Sequence, residues 1–557
     1  MGRAWWRDAV VYQIYVRSFA DAGADGVGDL AGVRSRIAYL QRLGVDAVWL
    51  TPFYPSPQRD HGYDVADYFD VEPQYGDLAE LDALVAECRS VGIRVLMDIV
   101  PNHCSSEHAW FQEALASAPG SASRSRFWFR DGRGADGEVP PNNWSAEFGG
   151  SAWTRVTEAD GAPGQWYLHT FTPWQPDFDW SNDDVVEHFD RALRFWFDRG
   201  VDGFRVDAVQ FVGKAPGLPD TEGDAPVSPA RNPHLSFVAS SHAVWRHWRA
   251  TVDAYNEAHP ARDVFLVAEA YTPRRPDILA AYVAPDEFHQ AFSFDLLLSP
   301  WNVATLRDAI DAPHRALTAA GTTVTWVLNN HDVQRAVTRY GRLVAHDVSS
   351  WTGSPLGYSD SEVDVALGTR RARAAAVMVA ALPGSLYVYQ GEELGLPEVL
   401  DLPDTVRTDP VFLRAGGAEI GRDGCRVPIP WDDDATTACG FATAPATPWL
   451  PQPENWSTWS VARQEGDSDS MLALYRATLR RRTELAPHEG PLEWVLTDHA
   501  QLLAFARGDV TVVLNPTSDA VTLDASATEA ADIMLTSSPG HVDPRVVPAD
   551  TCVWLRS

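Results

Sequence analysis

The sequence is poor in basic side chains and in long apolar runs. Its 557 residues hold 45 lysines and arginines against 76 aspartates and glutamates, a formal charge of −31 at pH 7. Such a charge repels nucleic acid and anionic membrane surfaces, so we expect a neutral or cationic partner. No stretch of about 18 uncharged apolar residues occurs, and residues 1–8 lack the apolar core of an export signal. These absences predict a cytoplasmic protein without a membrane anchor.

Cysteine is also scarce. The chain has five cysteines, and they form neither the even framework of a disulfide-rich secreted domain nor the close spacing of a metal site. Scattered reduced thiols are typical of a cytoplasmic protein. The five are Cys88, Cys104, Cys425, Cys439 and Cys552.

Aromatic residues, by contrast, are plentiful. They make up 11% of the chain and include 22 tryptophans. Large rings either fill a large core or pack against the apolar faces of sugar rings, and the counts fit both. The length exceeds what one small core needs, which predicts one large domain with attachments or two to three domains.

Short apolar runs alternate with longer stretches of helical periodicity over residues 10–390. This is the βα alternation of a parallel sheet. Eight strands joined by crossovers predict a closed (β/α)8 TIM barrel, in which chemistry occurs in the loops after the strands. The predicted strands are Val10–Ile14, Ala47–Leu50, Arg94–Asp98, Gly203–Val206, Val264–Ala268, Ala291–Ser293, Val324–Leu328 and Ser385–Tyr389, and the predicted helices include Gly32–Leu43, Leu78–Val91, Val185–Arg199, Ala239–Ala258 and Thr369–Ala381.

Two regions lie outside this alternation. Residues 104–174 are too long for an ordinary loop, yet their tryptophans and phenylalanines give them an apolar load that a disordered insert lacks. We predict a small folded subdomain there, inserted into a barrel formed by residues 1–103 and 175–486. Near the end of the chain the periodicity changes to two, which predicts an antiparallel β domain at 487–557.

Acidic and imidazole side chains follow four of the predicted strands. Parallel barrel strands end at one rim, so these side chains are expected to converge. Helix N-caps would explain any one of them but not the whole set. They are Asp98 and His103 after the third strand, Asp207 after the fourth, Glu269 after the fifth, and His331 and Asp332 after the seventh.

Arg205 stands two residues before Asp207, and on a strand both side chains point to the same face. An isolated pair of this kind fits a structural ion pair at a strand end. It also fits a carboxylate that is held ionised and oriented as a nucleophile. The other charged residues at the same rim favour the second interpretation.

Four segments, in chain order, resemble the four short regions of the α-amylase superfamily, glycoside hydrolase family 13. A fifth, Gln175–Asp179, resembles a region found in its α-glucosidase and oligo-1,6-glucosidase branch. Each segment alone is a weak signal, but together they are highly specific. The four are Asp98–His103, Gly203–Asp207, Val267–Ala270 and Asn330–Asp332.

The resemblance implies a retaining double displacement on an α-glucoside, with no cofactor required for the chemistry. Asp207 would be the nucleophile, Glu269 the acid and base, and Asp332 a third carboxylate that stabilises the transition state. Retaining enzymes hold their two carboxyls about 5 to 5.5 Å apart. The neighbouring residues predict separate pKa values, because Arg205 favours ionised Asp207 whereas the apolar neighbours of Glu269 favour its protonated form.

The resemblance also implies a pocket closed at one end, which releases one glucose from short α-linked oligosaccharides or α-glucosides. Asp60 and an arginine would clamp the terminal hydroxyls, and Tyr63 would stack on the ring. Arg422 is favoured as that arginine over Arg426. The substrate-binding residues implied in this way are Asp60, Tyr63, His103, Phe171, Gln175, Arg205, His331 and Arg422.

Linkage preference turns on the residue after the nucleophile. In the family, valine there accompanies α-1,6 cleavage and smaller or polar residues accompany α-1,4 cleavage, so Ala208 favours maltose-like substrates. An oligo-1,6-glucosidase and a transglucosidase or isomerase on the same scaffold remain alternatives. A non-enzymatic relative, which would lack the catalytic carboxylates and carry a membrane anchor, fits the sequence poorly.

The segment from Asp21 to Asp29 has carboxylates at its first, fifth and ninth positions and glycine at its sixth, a pattern that suits Ca²⁺ held by oxygens. Related glucosidases often hold a structural Ca²⁺ or Mg²⁺ here. Gly23, however, stands where an asparagine or aspartate ligand is expected. A loop that binds an ion and a loop that does not are therefore both consistent with the sequence. The candidate ligands are Asp21, Asp25, Val27 and Asp29.

Overall fold

The computed structural model describes residues 4–223, 226–343, 361–485, 492–497, 499–523, 532–540 and 543–556. The strands in these ranges are β1 (Val10–Ile14), β2 (Ala47–Leu50), β3 (Arg94–Ile99), β4 (Phe129–Arg130), β5 (Trp153–Thr157), β6 (Pro163–Leu168), β7 (Gly203–Val206), β8 (Phe265–Ala268), β9 (Gln290–Ser293), β10 (Thr325–Val327), β11 (Ser385–Tyr389), β12 (Glu493–Val495), β13 (Leu503–Arg507), β14 (Val510–Asn515), β15 (Val521–Thr522), β16 (Asp532–Thr536), β17 (Val546–Val547) and β18 (Thr551–Arg556). The α-helices are α1 (Leu30–Ser35), α2 (Ile37–Leu43), α3 (Leu78–Ser90), α4 (Ala109–Ala116), α5 (Asp183–Asp198), α6 (Ala239–Ala258), α7 (Pro276–Tyr282), α8 (Asp295–Leu298), α9 (Val303–Ala319), α10 (Ala336–Gly341), α11 (Val365–Ala380), α12 (Pro410–Arg414), α13 (Val461–Gln464) and α14 (Met471–Leu485).

The predicted (β/α)8 barrel is confirmed. Eight parallel strands close in the order β1, β2, β3, β7, β8, β9, β10, β11 and back to β1. Their short apolar runs are buried from end to end, as in β1 and β11, because helices cover the outer face and side chains fill the inside. The carboxyl ends of β3, β7, β8 and β10 therefore meet at one rim.

Three helices, α1, α5 and α11, begin earlier than the apolar periodicity predicted. Asp29 accepts a hydrogen bond from Gly32 N–H and starts α1, and Asp364 accepts one from Leu367 N–H and starts α11. Side-chain capping satisfies amides that the helix itself leaves without partners, so the cap determines the first turn. The predicted helix over residues 32–43 is in fact two helices, which change direction at Arg36 with φ −109° and ψ 6°.

Residues 104–174 contain a three-stranded antiparallel sheet in the order β4, β6, β5. Buried Trp144 and Trp153 pack in one apolar cluster with Ala208 and Phe211, which follow β7. Trp144 Nε1 also donates to Pro219 O at 2.8 Å. The insertion therefore lies over the loop that follows the candidate nucleophile.

The last part of the chain forms a five-stranded antiparallel sheet in the order β12, β13, β14, β18, β16. It packs on the barrel through β18, where buried Trp554 donates from Nε1 to Val377 O in α11 at 3.1 Å. The predicted boundary between residues 486 and 487 lies outside the described residues. No helix in the described part of the chain is both long and apolar enough to cross a bilayer.

Candidate active site

The candidate nucleophile contacts a buried arginine on its own strand. Arg205 Nη1 donates to Asp207 Oδ1 at 2.6 Å and to Asp98 Oδ1 in β3 at 2.8 Å. All three residues are buried, and the Asp207 backbone N–H donates to Ile99 O at 2.9 Å. One guanidinium thus compensates two carboxyls and fixes the direction of Asp207, as the spacing of Arg205 and Asp207 on the strand indicated.

Glu269 follows β8 and reaches the residue after the nucleophile. Its Oε2 accepts a hydrogen bond from Ala208 N–H at 2.8 Å and lies 3.2 Å from Arg205 Nη2. Ala208 has φ 45° and ψ 42°, a left-handed conformation that is uncommon for a residue with a side chain. Because this turn directs the amide at Glu269, the backbone itself places the candidate acid beside the candidate nucleophile.

Burial raises the pKa of both Asp207 and Glu269, because water is removed from each charged form. The expected depression at Asp207 is not found, since this carboxyl is as enclosed as Glu269 and the charge of Glu269 raises its pKa further. The two carboxyls therefore titrate as a coupled pair, in which ionising one disfavours ionising the other. Arg205 lies closer to Asp207, at 2.6 Å against 3.2 Å, and so favours ionised Asp207 and protonated Glu269.

The third carboxylate, Asp332, lies after β10 between two arginines. Its Oδ1 accepts hydrogen bonds from Arg422 Nη1 at 2.9 Å and Arg426 Nη2 at 3.0 Å, and His331 Nε2 lies 3.3 Å from its Oδ2. Burial alone would raise the pKa of Asp332, but the neighbouring His331 ring and the charges of Arg422 and Arg426 outweigh burial and hold it well below its usual range. Asp332 therefore supplies a fixed negative charge.

Arg422 also closes one end of the pocket. Its Nη2 lies 3.2 Å from Asp60 Oδ1, and its Nε donates to buried Asp409 Oδ2 at 2.7 Å. Gln175 Nε2 donates to the other oxygen of Asp60 at 2.9 Å. Burial raises the pKa of Asp60 to about 6, while Arg422 acts in the opposite direction. The arginine favoured from the sequence is the one that reaches Asp60, and Arg426 lies behind it, donating from Nε to His331 O at 2.8 Å.

Tyr63 and His331 form a flat part of the pocket wall. Their rings stack with centroids 5.4 Å apart and an interplanar angle of 4°. Tyr63 Oη lies 2.7 Å from His331 Nε2 and 3.0 Å from Asp98 Oδ2, and Gln13 Nε2 lies 2.7 Å from His331 Nδ1. Burial lowers the pKa of His331 to about 3, so the ring is neutral. The contacts favour the tautomer in which Gln13 donates to Nδ1 and Nε2 carries the proton.

His103 lies next to Tyr63, with its Nε2 3.2 Å from Tyr63 O. Its Nε2 is 3.2 Å from Gln175 Nε2, and its ring packs 4.9 Å from that of Phe171. Burial lowers the pKa of His103 to about 4, so this ring is neutral as well. All the predicted catalytic and substrate-binding residues except Arg205 and Gln175 line one pocket, and these two contact lining residues from behind.

Sequence reasoning missed several residues that line or support this pocket. Asp409 anchors Arg422 by accepting from its backbone N–H at 2.6 Å as well as from its side chain, yet it belongs to no motif. Glu147 and Phe148 of the inserted subdomain line the pocket, and the Arg422 guanidinium lies 5.2 Å from the Phe148 ring centroid. The aromatic content of the insertion predicted a folded wall but could not indicate which side chains face inward.

In the predicted cation loop, the carboxylates accept hydrogen bonds from nearby backbone amides. Asp21 and Asp29 accept backbone N–H bonds within and next to the loop at 2.5 to 3.1 Å, and Asp25 accepts one from Val27 N–H at 2.9 Å. Across the described ranges, no group of three or more His, Cys, Asp or Glu side chains is arranged to hold a metal ion. The residues present fit a cation poorly, because amides occupy the oxygens it would need. Bound Ca²⁺ or Mg²⁺ stays an untested prediction.

A closed barrel with a candidate nucleophile, a candidate acid and a third carboxylate at its carboxyl rim is typical of one class of protein, the barrel glycosidases. A comparison with protein families agrees. Residues 13–488 match the model of the α-amylase catalytic domain. The chain belongs to the α-amylase family of glycoside hydrolases, which confirms the family expected from the sequence motifs.

Individual relatives cover most of the chain. It is 36% identical over 532 residues to a probable alpha-glucosidase of Rhizobium meliloti (strain 1021), covering 91% of this chain and 87% of that protein. It is 33% identical over 503 residues to Maltase 1 of Drosophila virilis, covering 87% and 74%. Among solved structures, the alpha-glucosyl transfer enzyme XgtA has a TM-score of 0.82 at 32% identity, with 100% of both chains covered.

Proposed function

We propose that this protein is a retaining, exo-acting α-glucosidase that releases glucose from the non-reducing end of short α-glucosides. The observation that carries the proposal is the closed end of the pocket. Arg422 pairs there with Asp60 and Asp332, and Gln175 holds the second oxygen of Asp60. A sugar chain cannot continue through this wall, so only a terminal ring fits beside Asp207.

The chemistry follows from the two rim carboxyls. Ionised Asp207 attacks the anomeric carbon while protonated Glu269 gives its proton to the leaving oxygen, which forms a glycosyl–enzyme ester and frees the leaving sugar. Glu269, now ionised, then removes a proton from water as the water attacks the same carbon and releases Asp207. Asp332 stabilises the positive charge that develops on the sugar ring in both steps. Protein side chains supply all of these groups.

We further propose a preference for α-1,4 linkages. Ala208 lines the pocket and its amide binds Glu269, so its side chain lies where the bond to the leaving sugar would be cut. A small side chain leaves room for a leaving sugar whose scissile oxygen is bonded directly to a ring carbon, as in an α-1,4 linkage. The 33% identity to a protein named maltase supports the same preference.

A second candidate function is transfer of the glucosyl group to another sugar. The similarity to the alpha-glucosyl transfer enzyme XgtA, at 32% identity, favours it. Transfer uses the same covalent intermediate, with an acceptor hydroxyl in place of water. Incubation with concentrated maltose tests it, since new oligosaccharides indicate transfer and glucose alone contradicts it.

A substrate panel tests the main proposal. Initial rates with maltose, isomaltose, nigerose, kojibiose, sucrose and trehalose are compared by glucose release, and the anomer first released is identified by NMR. The proposal requires α-glucose as the first product and maltose among the best substrates. Release of β-glucose contradicts retention, and cleavage inside a long chain before its ends contradicts exo action.

A further inference from the structure

The chemistry proposed above leaves one carboxyl of the pocket unused. Glu147, in the inserted subdomain, lines the pocket together with Asp207 and Glu269. Its backbone N–H donates to Thr170 O at 2.8 Å, which holds the residue in place. Within the described ranges, its Oε2 is buried and no protein group hydrogen-bonds to it. Buried polar atoms of folded proteins are nearly always paired, so this oxygen indicates a group directed at a ligand.

Glu147 lines the pocket close enough to Glu269 for their charges to interact, which places it, in our proposal, on the leaving side. Burial raises its pKa to about 8, and the charge of Glu269 raises it further, so the two carboxyls influence each other. Glu269 is the group proposed to protonate the leaving oxygen. The closed end, by contrast, is formed by Asp60, Arg422 and Gln175.

A second cavity adjoins the pocket at this point. It has a volume of about 690 Å³ and lies between the inserted subdomain and the segment around α12. Glu147 and Phe148 line both the pocket and this cavity, whose other walls include Ser145, Asn142 and Arg414. Glu147 and Phe148 therefore form a wall that the pocket shares with the adjoining cavity.

We propose that Glu147 binds the leaving-side sugar, and the acceptor sugar during transfer, through a hydrogen bond between its carboxyl and a ring hydroxyl. The inference rests on the proposed function. A carboxyl makes such a bond in either protonation state, since it accepts when ionised and also donates when neutral. The competing role is electrostatic, in which Glu147 only adjusts the proton affinity of Glu269.

The test compares two substrates that share the terminal glucose. Maltose has hydroxyls on its leaving ring, whereas cyclohexyl α-glucoside has a leaving ring without them and needs a proton from Glu269 at least as much. We expect Glu147→Leu to lower kcat/KM for maltose about 5- to 30-fold, the value of one or two lost hydrogen bonds. For cyclohexyl α-glucoside we expect less than about a 3-fold change, because no hydrogen bond is lost.

Two further variants complete the design. Glu147→Gln keeps hydrogen-bonding atoms but cannot ionise, so it should retain most of the activity on maltose even if Glu147→Leu folds poorly. Glu419→Leu removes an exposed carboxyl that lines the adjoining cavity, and it should leave both substrates unchanged. Thermal unfolding of each variant checks the fold.

The remaining outcomes separate the competing explanations. Equal losses on both substrates, together with a shifted alkaline limb of the pH profile, would show that Glu147 only adjusts the proton affinity of Glu269. This result overturns the proposal. An unchanged rate on maltose in both Glu147 variants overturns it as well. If the parent enzyme hydrolyses neither substrate, the proposed function itself fails, a result distinct from a parent that is active but shows no difference at Glu147.

Discussion

The two ends of the pocket are built in different ways. At the closed end, Arg422 binds Asp60, Asp332 and Asp409, so charged side chains are paired and held in place. At the proposed leaving side, Glu147 has a buried oxygen without a protein partner among the described residues. The difference indicates that recognition of one terminal ring is rigid, whereas the group on the other side of the scissile bond is selected by few contacts.

Loss of the proposed nucleophile, Asp207, should have the largest effect, because the reaction at both ends of the pocket depends on its attack on the sugar. Asp207→Asn keeps the shape of the side chain but cannot form the covalent intermediate, so hydrolysis of maltose should fall about 10⁴- to 10⁶-fold. Initial rates measure the loss, and circular dichroism checks the fold. Exposed Asp183→Asn is the control. Activity of the Asp207 variant within 10-fold of the parent would remove the assigned nucleophile.

Arg422→Lys should have the next largest effect, since it breaks the closed end. A lysine is a point charge and cannot pair with all three carboxylates at once, so Asp60 is expected to lose its cation, while Arg426 still pairs with Asp332. We expect kcat/KM to fall about 100- to 1,000-fold for maltose and cyclohexyl α-glucoside alike. Exposed Arg315→Lys in α9 is the matched control. A loss confined to maltose would place Arg422 on the leaving side and abolish the contrast between the ends.

The pH profile tests the coupled titration of Asp207 and Glu269. Burial raises the pKa of Glu269, so its acid form should persist above the ordinary glutamate value of about 4.3. The plot of kcat/KM against pH should fall at high pH as Glu269 loses its proton, and at low pH as Asp207 gains one. With an activated aryl α-glucoside, Glu269→Gln should lose the alkaline limb. An alkaline limb that remains in this variant would assign it to another group.

Ala208→Val should have a smaller effect that is confined to the leaving side. The added methyls narrow the space near the scissile bond, and one or two methyl groups alter discrimination about 10-fold. We expect the ratio of kcat/KM for maltose to that for isomaltose to fall by about this factor. Valine at φ 45° also strains the backbone, so thermal stability should decrease. Ala208→Gly, which suits this φ, is the control. An unchanged ratio in Ala208→Val would show that residue 208 does not determine the linkage preference.

Cation removal should have the smallest effect. Backbone amides already occupy the carboxylates of Asp21 and Asp29, so neither 5 mM EDTA nor 5 mM Ca²⁺ should shift the midpoint of thermal unfolding by more than about 2 °C. Differential scanning calorimetry measures the shift. A larger stabilisation by Ca²⁺ that Asp21→Asn abolishes would establish the cation site.

Much of the fold could be predicted from the chain alone, because the barrel repeats one local pattern. Apolar strand runs such as Val10–Ile14 and the charged residues after them appear directly in the sequence. Helix starts were less accurate, since Asp29 and Asp364 cap turns that lie before the apolar periodicity begins. The C-terminal sheet was expected from its period of two, but not the contact of Trp554 with α11.

The sequence by itself determined which charged residues lie at the carboxyl rim of the barrel. Strand periodicity placed Arg205 beside Asp207, and the motifs named Glu269 and Asp332, because these are local features of short segments. Tertiary structure decided how those charges behave. Burial, which no short segment reveals, raises the pKa of Asp207 along with that of Glu269.

Only the tertiary structure decided what surrounds the rim. Asp409 supports Arg422, and Glu147 reaches the leaving side from a subdomain inserted far away in the chain. Each lies in an irregular segment whose direction depends on packing against the barrel. Such long-range contacts have no periodic signature, so a residue's part in the pocket becomes visible only when the chain is folded.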